Sequence, residues 1–295
     1  MHPSIGINPI SWSNDDLQYV GGDISLETCL REARHSGYQG IELGNKFPRE
    51  ARVLKPILDE HQLELVSGWY SSHLLSQDAK QEASNMASHA GLLRDMGCGV
   101  VIVAEVSGCI HSQPAKRLSQ RPRLKHADWK RFGQRLSELG KIAADQGLKL
   151  VYHHHMGTVV QSVQDIDALM SATSDDVWLL LDSGHAMFAG ANPVALAQTY
   201  TDRIGHVHCK DIRRSMLDVC LNRDCSFLDA VLDGVFTVPG DGCVDFEALL
   251  SVLSNVGYSG WVVVEAEQDP SVSPPVRYAQ MGHQFLASAI NQAYS

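Results

Sequence analysis

The sequence predicts one closed (β/α)8 barrel. Three observations carry that expectation. Eight short apolar runs alternate with amphipathic stretches across 295 residues, the pattern of a parallel sheet and the size of one such barrel. Gly37, Gly97, Gly147 and Gly257 follow helical stretches, as C-terminal caps do, and the next run starts within a few residues. Acid and imidazole side chains recur at the ends of the later runs, and in a parallel barrel the strand C-termini converge on one mouth.

The first strands are expected at 5–10 and 39–43, separated by a helix at 25–37. A helix at 50–61 leads to a strand at 63–69, and a helix at 78–96 leads to one at 99–104. There Val100-Val101-Ile102-Val103-Ala104 is the continuous apolar run of a strand buried on both faces. A helix at 126–146 precedes Leu148-Lys149-Leu150-Val151-Tyr152, within a strand at 148–154. A helix at 162–173 precedes the strand at 177–182, and one at 193–200 precedes the strand at 204–209. A helix at 245–256, a strand at 261–266 and a helix at 276–291 complete the eight units. The whole chain, 1–295, is expected to form one catalytic domain.

Two segments break the rhythm, 106–125 and 210–243. They are read as long loops after the fourth and seventh strands, overhanging the mouth as lids or substrate walls. The net charge of -10 and the lack of a basic stripe disfavour a nucleic-acid partner. No apolar run approaches the roughly 20 residues needed to span a membrane, and the N-terminus lacks the pattern of a signal peptide. Seven cysteines at irregular spacing, without CxxC, argue against a disulfide framework and for a reducing cytoplasm. Cys220 and Cys225 are read as two thiols of a surface insertion.

Asp182, His208 and Glu265 end three successive strands. Three ligand-type side chains at equivalent positions predict one shared divalent cation. The mixed carboxylate and imidazole set suits Mn, Co, Fe or Zn better than Ca. His153 or Glu105 supplies the fourth ligand. Successive side chains alternate along a strand, so His153 and His155 share one face, while His154 turns away toward the outer helices. His155, His185 and Lys210 follow strand ends and face the mouth as proton-transfer candidates, with Arg214 as a charge clamp. Asn8, Glu42, Trp69 and Tyr70 form the remaining walls. Gly44-Asn45-Lys46 places Lys46 to hold substrate hydroxyls.

At these residues the chain resembles the xylose-isomerase-like family of metal-dependent barrels, and within it the inosose dehydratases. The resemblance rests on Gly6-Ile7-Asn8-Pro9-Ile10-Ser11-Trp12, Gly40-Ile41-Glu42-Leu43-Gly44-Asn45-Lys46-Phe47-Pro48 and Val66-Ser67-Gly68-Trp69-Tyr70. It continues through Tyr152-His153-His154-His155-Met156-Gly157-Thr158, Leu181-Asp182-Ser183-Gly184-His185 and Val264-Glu265-Ala266-Glu267-Gln268-Asp269-Pro270. It implies a lyase of inositol catabolism. The substrate would be a small cyclic polyol ketone, scyllo-inosose (2-keto-myo-inositol), losing water to give 3D-(3,5/4)-trihydroxycyclohexane-1,2-dione. The resemblance implies Mn or Co, and associates glutathione with the group without a recognisable site in these residues. Further copies of the chain, as a homo-oligomer, are compatible with it. Related epimerases and dehydratases carry Glu where His153 stands, whereas the inosose dehydratases share the His-rich strand.

The chemistry is removal of the proton beside the ketone and protonation of the departing β-hydroxyl. Glu105, His155, His185 and Lys210 are the candidates, with base and acid unassigned. A ketose 3-epimerase or sugar isomerase on the same barrel is the nearest alternative. The net charge disfavours an endonuclease-IV-like phosphodiesterase. The intact Asp182, His208 and Glu265 set disfavours a non-enzymatic sugar-binding barrel.

Overall fold

The computed structural model describes residues 2–295. Its strands in chain order are β1 (Ser4–Ile7), β2 (Gly40–Leu43), β3 (Glu64–Ser72), β4 (Val100–Glu105), β5 (Lys149–His153), β6 (Val177–Asp182), β7 (Ile204–Cys209), β8 (Asp211–Ile212), β9 (Phe236–Thr237) and β10 (Trp261–Val264). Eight of them close a parallel barrel in the order β1-β10-β7-β6-β5-β4-β3-β2, and β8 and β9 pair separately. The eight barrel strands are the eight expected from the sequence. The helices are α1 (Leu26–His35), α2 (Ala51–Glu60), α3 (Ala79–Asp95), α4 (His126–Asp145), α5 (Val163–Ala172), α6 (Ser183–Phe188), α7 (Pro193–Thr199), α8 (Arg214–Arg223), α9 (Phe227–Leu232), α10 (Phe246–Asn255) and α11 (Pro275–Ala293). No described helix is long and apolar enough to cross a membrane.

Local chemistry sets the ends. Ser25 caps α1 by accepting from the Thr28 amide at 3.1 Å. Gly37, just past its end, has φ of 102°, a conformation that a side chain would strain.

Strand alternation divides the apolar residues into two cores. Outward-facing Leu150, Tyr152, Leu179, Leu181 and Val207 join helix residues such as Leu54, Leu93, Phe132, Leu136 and Leu250 in the main core. Inward-facing Ile102, Val151 and Leu180, with Trp69 and Trp178 against them, plug the barrel. Two residues further along, the same inward faces carry His153 on β5 and Asp182 on β6. The barrel interior is therefore ionisable at the mouth and apolar below it on β4, β5 and β6, with His206 of β7 level with Leu180.

Residues 210–243 are not a loop. They fold into β8, α8, α9 and β9 around their own core of Leu217, Cys220, Cys225, Phe227, Leu228, Val231 and Phe236. Leu17 and Val20, from the segment after β1, join that core. Cys220 and Cys225 face each other there with Cα atoms 5.3 Å apart, a separation that a disulfide can span. Asp224, in the left-handed region at φ of 48°, turns the chain back to bring them together. The segment after β4 braces this cover: the Leu118 amide donates to the Cys225 carbonyl at 3.1 Å, and the Ser119 hydroxyl to Asp224 at 2.6 Å.

Candidate active site

Four inward side chains meet at the mouth. His153, Asp182, His208 and Glu265 each offer one atom, all within 4.8 Å of one another. All four residues are buried. His153 Nε2 lies 3.7 Å and His208 Nδ1 3.6 Å from Asp182 Oδ2. His208 Nδ1 approaches Glu265 Oε2 to 2.5 Å, yet among the described residues neither atom has a hydrogen-bond partner of acceptable geometry, nor does Asp182 Oδ2. Buried polar atoms are rarely left so. Converging unpartnered lone pairs from two carboxylates and two imidazoles fit a divalent cation.

The imidazoles are turned for that task by their far nitrogens. His153 Nδ1 lies 2.7 Å from the His154 carbonyl, which takes the ring proton and leaves Nε2 as a lone pair. Burial, with the His208 charge adding to it, pushes His153 well below the ordinary histidine pKa. His208 Nε2 lies 3.1 Å from Glu42 Oε1, freeing Nδ1 toward the cluster. Carboxylate and carbonyl partners of this kind fix the orientation of metal-ligating histidines. Glu42 also accepts from His206 at 3.0 Å and Asn8 at 2.7 Å. Burial opposes its charge, but His208 and His206 outweigh that and hold it below the carboxylate range.

Behind the cluster lies Lys210, fully buried. Its Nζ is 2.7 Å from Glu267 Oε1, 3.0 Å from His185 Nε2 and 3.5 Å from Glu265 Oε2. Burial disfavours the ammonium, but Glu265, Glu267 and Asp182 outweigh it and raise its pKa, so it is a fixed cation. Burial raises Glu267 to about 7 against the pull of Lys210. Space for Lys210 depends on Gly184, where a Cβ would stand 2.6 Å from Lys210 Cγ.

The cluster opens into a cavity of about 250 Å³, below the roughly 300–1,000 Å³ of drug-sized sites. Asn8, Glu42, Trp69, His153, His155, His208 and Glu265 line it as expected from the sequence. Asp15, Asp16, Ser71, His111 and Glu267 also line it, and sequence reasoning assigned them no role. So small and polar a chamber suits a small polyhydroxylated molecule. The His155 ring packs 5.7 Å from Trp69 and 4.9 Å from Phe227 of the cover.

The other expected residues stand elsewhere. His185 and Lys210 lie behind the lining. Glu105 points away from the barrel interior: Ser72 and Leu74 donate to one carboxylate oxygen at 3.0 and 2.7 Å, and the Ser107 amide to the other at 3.1 Å. It pins two loops and stands outside the four-residue cluster, whose fourth member is His153. Tyr70, next to inward Trp69, points outward to Glu82 on α3, 2.6 Å away. Lys46 donates to the carbonyls of Gly21, Gly22 and Ile24, stitching the segment after β1, and does not line this cavity. Arg214 is exposed at the start of α8. His154 is buried outside the cavity lining, and burial lowers its pKa to about 3.

A closed (β/α)8 barrel with a buried ligand-type cluster at its mouth defines the class. The model of the xylose isomerase-like TIM barrel family matches residues 30–289, and the chain belongs to that family. A rhizopine catabolism protein, MocC, of Rhizobium meliloti is 48% identical over 287 residues, 97% of this chain and 88% of the relative. An inosose dehydratase of Clostridium beijerinckii is 40% identical over 284 residues, 96% of this chain and 95% of the relative. Among solved structures, IolI protein with a binding zinc atom superposes with a TM-score of 0.68 at 19% identity, covering 99% of both chains. An L-ribulose 3-epimerase gives 0.67 at 20% identity, covering 99% of this chain and 95% of the other. These two likenesses concern the fold.

Proposed function

We propose that the chain is a metal-dependent hydro-lyase that eliminates water from scyllo-inosose, giving 3D-(3,5/4)-trihydroxycyclohexane-1,2-dione. The observation that carries this reading is the 40% identity to an inosose dehydratase across 96% of the chain. The buried four-residue cluster at the floor of a small polar cavity supports it.

His153, Asp182, His208 and Glu265 would hold the ion, with Mn or Co as the proposed metals. When bound, the ion would stabilise the negative charge that develops on the ketone oxygen as the neighbouring proton leaves. Glu42 holds His208 in place. Glu267, in the lining and anchored by Lys210, would take that proton and return it to the β-hydroxyl as its C–O bond breaks, so that the group leaves as water. Lys210 and His185 position it from behind. His155, between Trp69 and Phe227, walls the reacting carbons from water. Asn8 and Trp69 complete the substrate wall. Glutathione has no proposed site.

We place the enzyme in the cytoplasm, on its irregularly spaced cysteines. There the Cys220–Cys225 pair is expected as two thiols for most of its life.

Incubation with scyllo-inosose and each metal tests the reading. The expected product is lighter than substrate by one water and absorbs in the near ultraviolet. A ketohexose 3-epimer as the sole product from any substrate offered would replace it with the epimerase alternative. The 48% identity to MocC favours a second reading, a part in rhizopine breakdown. A higher kcat/KM on a rhizopine-derived ring than on scyllo-inosose would select it.

A further inference from the structure

We propose that Asp16 and His111 form a two-pronged seat for one substrate hydroxyl at the cavity rim, remote in sequence from the metal cluster. This rests on the polyol-ketone reading above. Asp16 lies in the segment after β1 and His111 in the segment after β4, and both line the cavity. Their side chains are 27% and 13% exposed, and His111 Nε2 is 3.9 Å from Asp16 Oδ2. That is too long for a hydrogen bond between them. It is the spacing at which one oxygen can sit within about 2.8 Å of both.

The two prongs are complementary to a hydroxyl. Burial pushes His111 below the ordinary histidine pKa, so the neutral ring carries one N–H. His111 Nδ1 is buried with no hydrogen-bond partner among the described residues. An orphaned acceptor is tolerated better than an orphaned N–H, which puts the proton on Nε2, facing Asp16. A hydroxyl oxygen there accepts from His111 and donates to Asp16. Both prongs are fixed by their loops. Asn14 Oδ1 accepts from the Asp16 and Leu17 amides at 2.9 and 2.7 Å. The Ile110 amide donates to the Gly157 carbonyl at 2.9 Å, and a Cβ at Gly157 would press to 2.9 Å from the His111 backbone nitrogen.

The test compares wild type with Asp16→Leu, His111→Phe and His111→Gln, at equal metal content and melting temperature. A hydrogen bond to a charged group is worth roughly 1.5–3 kcal/mol, or about 10–150-fold. Asp16→Leu should raise KM for scyllo-inosose by that factor with a smaller change in kcat, and His111→Phe, which removes a neutral donor, by about 2–10-fold. His111→Gln, which keeps an N–H, should recover part of the loss. Among monodeoxy inososes, wild type should discriminate against one, and the Leu and Phe variants should lose that discrimination. Unchanged KM and unchanged discrimination in both variants would overturn the seat while leaving the dehydratase reading intact. Calorimetry with scyllo-inositol, which cannot react, reads the seat without turnover. Weaker binding by the two variants supports it even if wild type makes no dione, and binding equal to wild type, or no binding by wild type, overturns it.

Discussion

Glu42 holds His208 from behind: its Oε1 lies 3.1 Å from His208 Nε2, on the ring edge opposite the cluster. One imidazole is thus clamped by β2 and offered to β6 and β10. Glu42→Gln keeps the shape and loses the charge that fixes the ring. Metal affinity should fall about 10–100-fold, read by competition with a chromogenic chelator. Unchanged affinity would make Glu42 a packing residue.

Asp182→Ala removes the carboxylate that both histidines of the cluster approach. Stoichiometric metal should be lost with activity, while circular dichroism stays that of the barrel. In wild type, chelation should lower the melting temperature. Binding to the folded state alone stabilises by about 4 kcal/mol when free metal is roughly 1,000 times Kd. Full metal content in the variant, or a melting temperature indifferent to chelation, would dismiss the site.

Lys210→Met leaves Glu267 and Glu265 buried without their cation. Breaking a buried pair in this way costs about 3–5 kcal/mol. The urea midpoint should drop accordingly at unchanged slope. A midpoint equal to wild type would show that Lys210 is not the charge that holds these carboxylates.

Arg214 and Lys46 should separate cleanly from the chemistry. Arg214→Ala, on an exposed helix start, should change stability by no more than about 0.5 kcal/mol and leave kcat/KM unaltered. Lys46→Ala releases three carbonyls and should cost roughly 1.5–3 kcal/mol with the metal affinity intact. A large loss of kcat in Arg214→Ala would restore it to the substrate wall.

The barrel was legible because strands buried on both faces leave unbroken apolar runs, and the glycine caps mark where each helix stops. Asp182, His208 and Glu265 were legible because they end such runs. Glu105 and Tyr70 were misplaced for want of counting: with Ile102 and Trp69 inward, period-two alternation sends both outward. The same count would have found Glu267, two residues past Glu265. Lys46 and Arg214 have long side chains on connecting segments, and sequence position fixes no direction for them. Asp16 and His111 sit on loops whose meeting depends on the closed barrel. The cover at 210–243 was hidden by its cysteines and its Pro-Gly turn, although Leu217, Phe227, Leu228, Val231 and Phe236 carry an apolar core.

Gly184 contributes to this centre only by lacking a side chain. Because Lys210 threads the space where a methyl group would be, even the smallest substitution at 184 competes with the ammonium for the same volume. The displaced charge would be felt at Glu267, Glu265 and Asp182 together. The barrel thus carries a sensitive position with no functional group, and a search for reactive side chains would pass over it.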